Sequence, residues 1–150
     1  MKLAEALQER ADLNRRIQQL QQRLNSNAIV QEGESPAEDP RDLLNELDRS
    51  TQELEELITR INLANCRTMV RGESLTALLS RRDALKLKLS AYRDLVYSAS
   101  QLGHRATHTE IKLLSTVSVK DLQKQVDAMA KELRLLDNTI QASNWTTELD

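Results

Sequence analysis

Phenylalanine is absent from the chain, and its only aromatic residues are Tyr92, Tyr97 and Trp145. Glycine occurs three times and proline twice in 150 residues. A β-sandwich or barrel draws heavily on aromatic and turn-forming residues, so these scarcities exclude that class and favour long helices. A single cysteine, Cys66, closes no internal disulfide, which fits a reducing compartment and a fold held without covalent staples. A large excess of charge of one sign is missing too: 21 basic residues against 23 acidic leave −2, no global field to attract polyanions. A nucleic-acid partner is therefore not expected. The longest charge-free stretch of helical character, Leu95 to His104, is about ten residues, half of what a spanning helix requires. Met1 to Glu5 leads straight into amphipathic sequence with no apolar signal core, so a cytoplasmic protein without stable membrane association is expected.

What is present is heptad order. Leu3, Ala6, Arg10, Leu13, Ile17, Leu20 and Leu24 recur at steps of three and four, a seam interrupted by Arg10 and widened by Leu7. The Asn25-Ser26-Asn27 cluster ends it, so a first helix is predicted over about 2–25. Residues 25–39 carry Gly33, Pro36 and four acids without a base, and read as a loop whose only apolar patch is Ala28-Ile29-Val30. Asp39 then suits an N-cap, Pro40 the first helical position and Asp42 the first turn, opening a second helix over about 40–65. Its stripe is Leu43, Leu47, Ser50, Leu54, Leu57, Ile61 and Ala64, thickened by Leu44 and Ile58.

A turn at Arg71-Gly72-Glu73 precedes the third seam, Leu75, Leu78, Arg82, Leu85, Leu89, Tyr92, Val96 and Ala99, in a helix expected over 75–102. Gly103 is placed to stop it. From 109 to 117 the period changes to two and β-branched residues gather, which predicts a strand there, with the 28–31 segment as a possible partner. Ser118 with Asp121 three residues on, and Val117 with Leu122, give a capping box and a hydrophobic staple for a last helix over 118–143. Leu122, Val126, Met129, Leu133, Leu136 and Ile140 carry its seam after Val119. The expected fold is thus mainly α: one domain of four long antiparallel helices, as coiled-coil hairpins or an up-down bundle, with a small β element near 109–117. Residues 41–66 hold three bases and six acids and residues 67–102 seven and three, which favours helix two lying beside helix three.

Chemistry-bearing patterns are sparse. His104 and His108, four apart, with Glu110 and Cys66, form the one metal candidate, but Gly103 has just ended the helix, and exposed loop histidines explain them as well. Arg81, Arg82, Lys86, Lys88 and Arg93 make helix three basic without interleaved stacking aromatics, a solvated face more than an RNA site. The pairs Glu55-Glu56 and Glu38-Asp39 sit in polar surroundings that would not raise a carboxyl pKa. Arg10 and Arg82 lie on seam positions, either as polar devices that fix register or oligomer state or as side chains snorkelling from the seam edge. Trp145 reads as an anchor, in the core or at a subunit contact. No catalytic residue and no cofactor are expected.

The stretches MKLAEALQERADLNRRI, RLNSNAIVQEGESPAEDP, EIKLLSTVSVKDLQKQVDAMAKELRLLDNTIQ and NWTTELD resemble a family of small bacterial proteins labelled septicolysin-like. The resemblance spans nearly the whole chain. It implies a bacterial, helical, coiled-coil, self-associating protein, and the family label implies a pore-forming cytolysin. The residues themselves point to a structural or protein-interaction role through seam surface left over after the helices pair. Its own copies are the expected partner, with Leu122, Val126, Met129, Leu133, Leu136, Ile140, Trp145, Arg10 and Arg82 as candidate seam or interface residues; a membrane-active cytolysin is the alternative, and a metal-dependent enzyme or RNA binder the third.

Overall fold

A computed structural model of the chain describes residues 1–102 and 111–150. Among these described residues there are four helices, α1 (Leu3–Ser26), α2 (Pro40–Arg67), α3 (Leu75–Ser100) and α4 (Val119–Thr146), with strands β1 (Met69–Val70) and β2 (Glu73–Ser74) between α2 and α3. The chain divides into two compact units, one of Met1–Ser74 with Ser143–Asp150 and one of Leu75–Ala142.

In the first unit α1 and α2 form an antiparallel hairpin. Leu3, Ala6, Leu13 and Leu20 of α1 and Leu43, Ser50, Leu57 and Ile61 of α2 are buried, which are the heptad positions read from the sequence. Both helices begin on local signals. The Glu5 carboxylate accepts from the Lys2 N–H at 2.6 Å, and the Asp39 carboxylate accepts from the Arg41 N–H at 2.9 Å with Pro40 opening the helix. The two strands pair antiparallel in the register Met69↔Ser74 and Val70↔Glu73, closed by Arg71 (φ 52) and Gly72 (φ 86). Positive φ at both central residues is the type I′ geometry, whose twist matches that of the paired strands.

The second unit is the α3–α4 hairpin. Leu85, Leu89, Val126 and Met129 make its core, with Tyr92, Val96, Ala130 and Leu133 packed against them. The Ser118 hydroxyl accepts from the Asp121 N–H at 3.3 Å at the start of α4, the cap expected there.

The small antiparallel sheet therefore lies at 69–74, not near 109–117. Residues 111–117 form no strand, and neither do 28–31. Ser115 accounts for it: its hydroxyl donates to the Val117 carbonyl at 2.6 Å and accepts from the Val117 N–H at 3.3 Å. A side chain that folds back in this way takes the backbone groups a ladder would use. Residues 109 and 110, the Gly103 stop and both histidines lie outside the described residues.

Candidate interaction surfaces

The loop between α1 and α2 is closed at its base by side chains. Arg23 donates from Nε to Glu38 Oε2 at 3.0 Å and from Nη2 to Oε1 at 2.5 Å. Beside this fork, Asn27 donates from Nδ2 to the Arg23 carbonyl at 2.8 Å and accepts through Oδ1 from the Glu38 N–H at 3.0 Å. The hydrogen bond from Arg23 holds the Glu38 carboxyl below its ordinary value of 4.5, and Glu38 in turn raises Arg23. Within the loop the Glu34 N–H reaches the Gln31 carbonyl at 3.0 Å across Gly33 (φ 88), a turn that only glycine makes without strain. The closed loop leaves Ile29 88% and Val30 45% exposed.

A second surface lies at one end of the α3–α4 hairpin. Leu95, Tyr97, Ala99 and Leu102 from α3 and its continuation, with Leu113, Leu114 and Val117 before α4, line a groove of about 470 Å³. Tyr97 and Leu114 stand largely exposed at its margin. Sequence reading missed this surface, because it exists only where the end of α3 and the approach to α4 meet. Another cleft of about 430 Å³ runs along α2 between Asp48, Thr51, Gln52, Glu55 and Glu56, an acidic helix face on which Gln52 donates to Glu56 at 3.2 Å.

A third feature, also unread in the sequence, ties the ends of the first unit together. The Leu3 N–H reaches the Thr147 carbonyl at 2.9 Å and the Leu149 N–H the Met1 carbonyl at 2.8 Å, bracketing an antiparallel bridge between Lys2 and Glu148. Leu149, Ser143 and Asn144 are buried there, and Arg60 Nε donates to the Asp150 carbonyl at 2.8 Å. Lys2 and the Met1 amino group hold the Glu148 carboxyl below its ordinary value. The Thr147/Leu149 alternation is the only local hint of this strand-like tail.

The residues singled out in the sequence fall in different settings. Val126, Met129 and Ile140 are buried, and Leu122, Leu133 and Leu136 half-buried, so the α4 seam is largely covered within its own chain. Arg82 is half-buried with its guanidinium 3.7 Å from Asp137 and 3.4 Å from Asp83, an ion pair across the α3–α4 hairpin. Arg10 is half-buried on the α1 seam. Trp145 is 54% exposed, so it is not a core anchor. Lys88 lies 5.8 Å over the Tyr92 ring, while Lys86 and Arg93 face solvent. Cys66 is exposed and outside any disulfide. Among the described residues, no group of three or more His, Cys, Asp or Glu is placed to hold a metal ion, and no helix is long and apolar enough to cross a membrane.

Residues 10–149 match a family of unknown function (DUF6847). Among solved structures, the chain is similar to a functionally unknown conserved protein from Corynebacterium diphtheriae, at 42% identity and a TM-score of 0.95, covering 100% of this chain and 99% of that one. No curated protein matches.

Proposed function

The chain belongs to that family of unknown function, and for it we propose a structural, non-enzymatic role as a cytoplasmic bacterial helical protein that associates with its own copies. The observation that carries the reading is the apolar end of the α3–α4 hairpin, where Tyr97 is 68%, Ile111 75% and Leu114 80% exposed beside the groove. Contiguous apolar surface of this kind marks an interaction site more often than free surface. A hairpin of two heptad helices also has one seam to bury, and apolar residues outside it, such as Leu44 and Leu87, face solvent in each unit. Partnership with a second chain is how coiled-coil proteins cover that excess.

Light scattering coupled to size exclusion at micromolar protein tests the reading. A mass of twice 17.1 kDa or a higher multiple is expected, and 17.1 kDa throughout overturns it. Co-sedimentation with anionic and neutral vesicles runs beside it: no binding is expected, whereas binding with dye release transfers the apolar end to the membrane-active reading.

A further inference from the structure

The α1–α2 loop and the α3–α4 groove are complementary. The loop is a closed, pre-formed element that presents two neighbouring aliphatic side chains, Ile29 and Val30, to solvent. Loops pinned at the base present side chains at little entropic cost, which is why compact closed loops recur as binding elements. Immediately after the aliphatic pair come the exposed acids Glu32 and Glu34. The groove offers the opposite: leucine, valine and tyrosine walls open to solvent, in a segment where residues 111–124 carry Lys112, Lys120 and Lys124 against one acid, Asp121. The contrast extends to the units. The first holds 10 basic and 16 acidic residues, net −6, and the second 11 and 7, net +4. A second copy of the chain therefore brings an acidic, aliphatic loop to a basic-flanked apolar groove, with attraction of the right sign.

We infer that Ile29 and Val30 of one copy seat in the groove between Leu95, Tyr97, Leu102, Leu113 and Leu114 of another, with Glu32 and Glu34 against the lysines that follow the groove in sequence. The inference rests on the self-association proposed above and names the surfaces that carry it. Such a contact joins two different patches, the loop of one copy and the groove of another.

The experiment uses the full chain in three forms: wild type, the loop variant Ile29→Asp/Val30→Asp, and the groove variant Leu114→Asp. All three positions are exposed, and an unchanged circular dichroism spectrum with a cooperative melt confirms that the variants fold. Each variant alone is expected to associate about ten-fold more weakly or worse, because each removes apolar burial from the loop–groove contact. Mixing the two variants regenerates one intact contact, so the mixture associates more tightly than either alone. A photo-crosslinker at position 29 is expected to attach to residues 95–102 or 111–117 of the other copy. A wild type that dimerises while both variants dimerise equally well leaves self-association standing and overturns this interface. A monomeric wild type overturns both.

Discussion

Arg23 and Glu38 stand 15 residues apart, and their pairing closes the α1–α2 loop. The pair is exposed, so its effect is local. Glu38→Gln is expected to leave the melting temperature nearly unchanged while amide exchange in residues 28–37 accelerates. Acid reproduces the effect. Glu38 titrates below its ordinary 4.5, so the stability it lends is present above that value and is lost as pH falls through the lowered one. Glu148 behaves in the same sense, and the terminal bridge loosens over the same acid range, readable as exchange of the Leu3 and Leu149 amides. Arg82 differs because its side chain, on a seam position, is only 23% exposed while its head meets Asp137 at 3.7 Å. Arg82→Ala is expected to cost about 1 kcal/mol in chemical denaturation, more than Asp137→Asn, because it removes packing as well as charge.

For the helices, burial decides cost more than residue type does. Leu89 is 3% and Leu87 75% exposed, two residues apart on α3. Leu89→Ala is expected to cost about 2–5 kcal/mol, and Leu87→Ala to fall within about 0.5 kcal/mol of wild type, in urea unfolding. At the start of α2, Asp39→Ala removes the acceptor for the Arg41 N–H and is expected to cost about 1 kcal/mol. These elements were legible because their signals are local. Asp39-Pro40, Ser118 with Asp121, and steps of three and four each act within a turn or two, and the helix limits fall within three residues of those expected. Over 111–117, the described part of the strand expected at 109–117, that reading failed for the complementary reason. Alternation is necessary for a strand but pairing makes one, and the Ser115 hydroxyl bonds the Val117 backbone while 28–31 forms no strand.

Across the whole molecule, the charge contrast between the two units predicts that the association proposed above is salt-sensitive. If acidic and basic surfaces of different copies meet, raising ionic strength from low to about 0.5 M weakens association, as screening shortens to within a few ångströms. Sedimentation equilibrium across that range checks it. An interface of apolar contacts alone would hold or tighten instead.

The sequence by itself determined that the chain is helical, where each helix starts, which face it buries and that Arg71-Gly72 turns the backbone. Each of these follows from residues within one or two turns of each other. Only the tertiary structure decided that Glu148 lies against Met1 and Lys2, that Arg23 closes a loop on Glu38, that Trp145 faces solvent, and that Leu95 and Leu114 line one groove. Those placements join residues far apart in the chain. No local preference encodes them, because they emerge only when the helices have docked and the remaining polar and apolar groups take whatever partners that docking brings within reach.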